Sequence, residues 1–169
     1  MITSTANKQI KNLIQLQTKG KARKEQNVVV VEGIKMYEEA LCYGKIVKAY
    51  ASETFYLEVA ENQDGYFGNT EFEILSDSVF KEVSDTKTPQ GILAIVERPV
   101  YALEDILENE NANLLILEDV RDPGNLGTIV RTGEGAGVTG IILSKNSVDL
   151  FNPKVIRSTM GSVFRVPFI

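Results

Sequence analysis

The 169 residues contain no histidine and a single cysteine. Without histidine there is no imidazole for a catalytic triad or a proton shuttle, and no His-containing zinc site. A lone cysteine rules out an internal disulfide and suits a reducing compartment. Cys42 falls in a helical pattern, where it is expected to be a small core residue. Long apolar runs are missing too. Nothing approaches the ~18 residues of a membrane span, and MITSTANKQIKNLIQ has no apolar leader core. The expected location is the cytoplasm, with no membrane partner. No metal-ligand cluster is visible, so no metal is expected. Any chemistry must run on Arg, Lys, Asp, Glu, Asn, Ser, Thr or Tyr.

What is present is a globular composition, 43% hydrophobic, with a net charge of −5. That charge hides an asymmetry. Residues 1 to 24 hold Lys8, Lys11, Lys19, Lys21, Arg23 and Lys24 and no acid, whereas the rest carries 12 basic and 23 acidic residues. A basic arm on an acidic body reads either as a polyanion contact or as a solvated helix face.

Along the chain, Ile10, Leu13, Ile14 and Leu16 have helical spacing, with Ser4 or Thr5 as the expected cap. KGKARKEQN reads as a polar loop. VVVV (28–31) is a buried strand by its β-branching, and IKMYEEALCYG a helix ending at Gly44. KIVKAYAS then reads as a strand, ETFYLEVAENQDG as a helix and EFEILS as a strand. SDSVFKEVSD is a helix capped by Ser76 or Asp77, and QGILAIVE a strand. This alternation over residues 1–96 predicts a layered α/β domain. Residues 97–112, acidic and amphipathic, read as a partly helical linker. A second α/β pattern fills 113–169. It has a strand LLILEDV, a helix over 126–136, a strand GIILSK, a helix from Asn152-Pro153 to about Met160, and a third strand SVFRVPFI.

The loop LEDVRDPGNLGTIVRTGEGAG (117–137) invites comparison with phosphate-binding loops. It lacks the Gly-Lys-Ser/Thr end of a P-loop. Gly133, Gly135 and Gly137 end a helix rather than open one, so they do not make a dinucleotide fingerprint. Asp122-Pro123-Gly124 is a strong turn. Asn125 is expected to cap the helix, and Gly124 and Gly127 to admit a close backbone or ligand. Arg131, four residues after Gly127, shares its face. It reads as a ligand contact, or as the partner of Glu134 or Asp122 in a surface ion pair.

The run from Asp122 to Phe168, DPGNLGTIVRTGEGAGVTGIILSKNSVDLFNPKVIRSTMGSVFRVPF, closely resembles the SpoU (TrmH) family of RNA 2′-O-ribose methyltransferases. Asn125-x-Gly127-x-x-x-Arg131 matches the family's first motif, and KVIRSTMG (154–161) the following stretch, with Thr159 where the family commonly has Ser. Asn7, Ile10-Lys11, the Lys21-to-Lys24 basic run, VVVVEGIKMYEEAL and TPQGILAIV look like the family's substrate-binding domain, which is similar to ribosomal protein L30e. The resemblance spans nearly the whole chain. It implies an α/β fold: an L30e-like layered domain over 1–96, then over 113–169 the first part of a SPOUT-class methyltransferase domain. The family's later motifs, a Gly-x-Glu turn and a Ser-Leu-Asn stretch, belong to the trefoil knot that binds S-adenosylmethionine. They are not found before Ile169, so a fragment inactive by itself is expected, with its cofactor-binding residues unassigned.

By the same resemblance Arg131 and Asn125 are the catalytic candidates. A guanidinium stays charged and is a poor base, so Arg131 is expected to hold the target phosphate or ribose and to stabilise charge near the 2′-hydroxyl. Asn125 would hold the loop. Glu118 and Asp119 are read as structural. Lys8, Lys11, Lys21, Arg23, Lys24, Arg121 and Arg157 are the expected RNA contacts. The expected partner is a structured RNA, with rRNA (23S) favoured over tRNA. A homodimer is expected of the full-length form. The alternative is an RNA-binding module without catalysis.

Overall fold

Four consecutive valines open the fold. In the computed structural model, which describes residues 1–63, 65–108 and 110–169, Val28–Glu32 form strand β1, buried along its whole length. Asp64, in the predicted helix after β2, and Asn109, in the predicted linker, lie outside the described residues. The chain divides into two units, Met1–Glu97 and Arg98–Ile169.

In the first unit β1 joins β2 (Ile46–Ser52), β3 (Phe72–Leu75) and β4 (Ile92–Glu97) in one sheet of order β1-β4-β2-β3. β4 runs antiparallel to both neighbours, and β2 and β3 are parallel. The period-two alternation of a strand sends Val28, Val30, Leu93 and Ile95 to one face. There they meet Ile10, Leu13 and Leu16 of α1 (Lys8–Thr18) and Val79, Phe80 and Val83 of α5 (Asp77–Val83). Helix α3 (Ile34–Tyr43) buries Met36, Tyr37 and Ala40.

Four local expectations change here. α1 is capped by Asn7, whose side chain accepts from the Gln9 N–H at 2.8 Å, and not by Ser4 or Thr5. The stretch read as a polar loop is a helix, α2 (Gly20–Gln26). Tertiary contacts form it. Arg23 turns inward and donates to the Leu16 carbonyl at 2.8 Å, one of the carbonyls α1 leaves open at its end. Asn12 and Gln26 exchange amide hydrogen bonds of 3.0 and 2.8 Å. The helix predicted after β2 is cut short: α4 (Glu53–Phe55) runs into a single π-helical turn, Tyr56–Ala60. The Asn62 amide takes the Leu57 and Glu58 carbonyls that further helix would need. Tyr66, Phe67 and Phe72 then pack as an aromatic cluster with Tyr37. Cys42, expected in the core, is exposed on α3.

The second unit holds a parallel pair, β5 (Leu114–Leu117) and β6 (Gly140–Leu143), joined through α7 (Pro123–Gly135). α8 (Pro153–Thr159) follows, with Asn152 and Pro153 as its cap and first residue as predicted; the Asn152 side chain accepts from Lys154 N. Of the residues read as a linker, Glu97 ends β4 in the first unit, and the described ones from Arg98 on belong to this unit. Ile106 of α6 (Leu103–Leu107) is buried against Gly140, where a Cβ would lie 2.3 Å from its Cγ2. Tyr101 packs on Phe168, and Arg98 lies 4.2 Å over the Phe151 ring. The predicted third strand is only partly one. Met160 and Gly161 take positive φ, Ser162–Phe164 make a 3-10 turn, and only the last residues pair beside β6, where Ile169 N donates to the Ile141 carbonyl at 2.9 Å. No described helix is long and apolar enough to cross a membrane.

Candidate functional site

The two parallel strands end side by side, and their following loops are laced together. Asp119 N donates to Ser144 Oγ (2.9 Å), Val120 N to Ser147 Oγ (3.2 Å) and Val148 N to the Val120 carbonyl (2.8 Å). Asp119 sits at φ 54°, and its carboxylate takes the Arg121 guanidinium in a two-pronged pair, both bonds 2.9 Å. That pair leaves the Arg121 side chain 78% exposed. It supports the structural reading of Asp119 and leaves Arg121 on the surface for a further contact.

α7 is capped by Asp122 rather than Asn125. The Asp122 carboxylate accepts from Asn125 N at 2.7 Å, and Pro123 takes the first helical position. Asn125 is therefore in the first turn, with its side chain exposed. One turn on, Gly127 is in close contact with α8: a Cβ there would lie 2.4 Å from Ser158 Cβ and 2.7 Å from the Val155 carbonyl oxygen. The close backbone that this glycine admits is a helix, not a ligand. Two turns on, Glu134 binds the Arg165 guanidinium and accepts from Ser162 Oγ at 2.5 Å.

Gly127, Arg131 and Glu134 share one stripe of α7 by their spacing. The outer two are tied to Val155–Ser158 and to Ser162–Arg165. Arg131 is exposed between them and makes no ion pair among the described residues. The surface pair expected with Glu134 or Asp122 does not form, because Arg165 and the Asn125 N–H already occupy those carboxylates. Arg157 is half-buried on α8. Thr159 is fully buried, its hydroxyl donating to the Ile156 carbonyl at 2.7 Å. The hydroxyl that Thr shares with Ser thus serves the helix itself.

In the first unit Lys8, Lys11, Lys21 and Lys24 are exposed, with Lys21 3.7 Å from Glu25 one turn away. Arg23 departs from its expected role. The residue is 4% exposed, and its guanidinium is a buried clasp between α1 and α2 that presents nothing to a phosphate.

Glu32 escaped the sequence reading. It is buried at the end of β1 and accepts from Ser84 Oγ (2.5 Å), Thr86 Oγ1 (2.7 Å) and Asp85 N (3.0 Å). One carboxylate thereby holds the whole turn after α5. The only hint was a charge closing an otherwise apolar strand. Glu32→Ala leaves Asp85 N without this acceptor and the Ser84 and Thr86 hydroxyls only each other and the Thr86 carbonyl, and should cost about 2–3 kcal/mol. Urea unfolding followed by circular dichroism measures this; a midpoint unchanged from wild type would remove the carboxylate from the stability of the first unit.

S-adenosylmethionine, implied by the family motif, needs partners for an adenine, a ribose and an amino-acid end. Among the described residues, the apolar groove of the second unit, between Leu115, Ile129 and Val138, offers only Thr128 and Thr132 as hydrogen-bonding side chains. These residues do not by themselves fit the cofactor, and no step is assigned through it. Among the described residues no group of three or more His, Cys, Asp or Glu is placed to hold a metal.

Comparison with known proteins agrees with the two-unit division. Residues 7–94 match the family described as MRM3-like substrate binding domain, and residues 112–169 match the SpoU rRNA Methylase family. The chain is similar to the 23S rRNA (guanosine(2553)-2'-O)-methyltransferase RlmP of Bacillus subtilis (strain 168), 33% identical over 168 residues, which are 99% of this chain and 64% of that protein. It is 36% identical over 152 residues to rRNA methyltransferase 3, mitochondrial, of Homo sapiens, covering 87% of this chain and 36% of that one. Among solved structures, the AdoMet-bound rRNA methyltransferase from Sinorhizobium meliloti superposes with a TM-score of 0.82 at 33% identity, covering 99% of this chain and 62% of that structure. The chain thus spans less than two thirds of the length of these relatives.

Proposed function

We propose a function from one premise: the chain belongs to the SpoU (TrmH) family of RNA methylases, its N-terminal unit being an MRM3-like substrate-binding domain. The proposed activity is transfer of a methyl group from S-adenosylmethionine to a ribose 2′-hydroxyl of ribosomal RNA. When bound, the cofactor supplies the methyl group on a sulfonium. Everything else falls to the protein. The hydroxyl must lose its proton, which passes to water, as it attacks, so negative charge develops at the ribose oxygen. Arg131 carries the reading: an exposed guanidinium without an ion pair among the described residues, held on a stripe whose two neighbours are both pinned. Its role is to grip the adjacent phosphate and to stabilise that charge. Asn125, in the first turn of the same helix, and Arg121, on the loop before it, are the further candidates for RNA contact.

The N-terminal unit holds the RNA through Lys8, Lys11, Lys21 and Lys24. Contacts of this kind bring affinity and register rather than sequence. Replacing Lys21 and Lys24 together by Ala should lower the slope of log affinity against log salt by about 1.4–1.8. Filter binding of a structured rRNA transcript at several salt concentrations reads the slope. An unaltered slope would take this face out of the interface.

A second reading, RNA binding without methyl transfer, rests on the exposed lysines of the first unit, which need no cofactor to meet phosphate. Incubation with tritiated S-adenosylmethionine and the same transcript separates the two. Measured on a protein carrying the whole methylase domain, label at a ribose 2′-oxygen establishes the enzyme, and tight RNA binding without label establishes the module.

A further inference from the structure

The first unit contains a cavity that has no part in the reaction above. Its volume is about 570 Å³, within the range of about 300–1,000 Å³ usual for small-ligand sites. Phe55, Val59 and Phe80 give it an apolar lining, and Asp77, Gln90 and Lys81 add polar groups. Two of these polar groups are fixed by the fold.

Asp77 Oδ1 accepts from Thr54 N at 3.1 Å, and Oδ2 from Thr54 Oγ1 at 2.7 Å. These bonds hold its carboxyl below the ordinary aspartate range, so it is an acceptor only. Each oxygen keeps further lone-pair capacity. Gln90 is oriented from the other side. Its Oε1 accepts from Ile34 N at 2.9 Å, in place of the cap that α3 lacks. Gly33 makes room for this. It sits at φ +100°, and a Cβ there would lie 2.7 Å from Gln90 Oε1. With its oxygen committed, Gln90 presents Nε2 as a donor, and no hydrogen bond from that nitrogen is made among the described residues.

The cavity therefore combines apolar walls, an anionic acceptor and an oriented amide donor. Among the nucleobases, guanine alone carries two adjacent N–H donors, N1 and N2, next to an acceptor, O6, on one edge. Uracil has one donor between two acceptors, and adenine offers only one donor group to a carboxylate. RNA is read chiefly where bases are unstacked and splayed out. We propose that this cavity receives an unstacked guanine of the bound RNA, with Asp77 accepting from N1–H and N2–H, Gln90 Nε2 donating to O6, and Lys81 at the rim meeting a phosphate. The proposal rests on the reading that the chain binds RNA.

The test is a titration of the nitrogen-15-labelled 169-residue chain with GMP, AMP, UMP and ribose 5-phosphate, followed by amide shifts. GMP should move the Ile34, Thr54 and Gly91 amides saturably. AMP and UMP should bind at least about tenfold more weakly, and ribose 5-phosphate should leave these amides in place. Val59→Phe fills the cavity and should abolish the response to GMP. Gln90→Glu keeps an oxygen for Ile34 N but removes the donor, and should weaken GMP at least about tenfold; it decides the matter if Val59→Phe misfolds. No saturable shift with GMP would overturn the proposal. So would equal shifts with ribose 5-phosphate, AMP or UMP, or GMP binding untouched by Gln90→Glu. Salt-sensitive RNA binding measured on the same sample keeps the two readings apart. If RNA binds and GMP does not, the cavity assignment falls and the RNA reading stands. If GMP binds and RNA does not, the RNA reading falls and takes the proposal with it.

Discussion

Arg131→Ala lowers methyl transfer by a protein carrying the whole methylase domain about 10²–10³-fold in kcat, the usual loss when a charge stabiliser of the transition state is removed. RNA affinity changes little, because one of several phosphate contacts is lost. The fold is spared: the side chain is exposed and unpaired among the described residues, and such positions usually shift stability by no more than about 0.5 kcal/mol. Arg131→Lys restores charge but not the planar fork, and recovers only part of the rate. Single-turnover transfer of tritiated methyl, beside a circular dichroism melt, measures both quantities. A wild-type rate in the alanine variant would exclude Arg131 from the mechanism.

The second large effect concerns two glycines of one helix, which respond with opposite signs. Gly127→Ala gains about 1 kcal/mol of helix propensity. Against this it drives a methyl into the Val155 carbonyl oxygen and Ser158 Cβ. Neither is the yielding end of a flexible chain, so α8 must shift. Overpacking of this kind costs about 1–3 kcal/mol and sometimes more, and Gly127→Val exceeds it. At Gly135 a Cβ meets nothing within 4 Å, so Gly135→Ala should stabilise by about 0.4–1 kcal/mol. Hydrogen exchange read by mass spectrometry places each change on the second unit. Stabilisation by Gly127→Ala would mean that the two helices are not in the contact described.

The strands were legible because apolar runs of β-branched residues can do little else. VVVV, KIVKAYAS and the first four residues of LLILEDV became β1, β2 and β5, and Asn152-Pro153 opened α8 where its cap chemistry said it would. Interior decisions were not legible. Nothing local marks Arg23 as buried rather than solvated; its position follows from the open carbonyl of Leu16, seven residues earlier. Asp122 and Asn125 are both good caps, and Pro123, which suits the first helical position, decided between them. Residues 97–112 look like a polar linker because the one buried side chain among those described, Ile106, needs the notch at Gly140, far away in sequence. At the candidate site, the motif named Asn125 and Arg131. It did not say that Glu134 would be taken by Arg165 and Ser162, and so be withheld from Arg131.

The lacing of the loops that follow β5 and β6 has a thermodynamic consequence. A flexible loop that closes on a ligand gives up backbone entropy of about 1–2 kcal/mol for each residue ordered. Here Asp119, Val120 and Val148 are already held by Ser144, Ser147 and each other. Whatever binds beside Arg121 and Asn125 meets a rim whose disorder was removed during folding. Association there is governed by the hydrogen bonds and charge pairs formed with the ligand, and not by the cost of arranging the protein to form them.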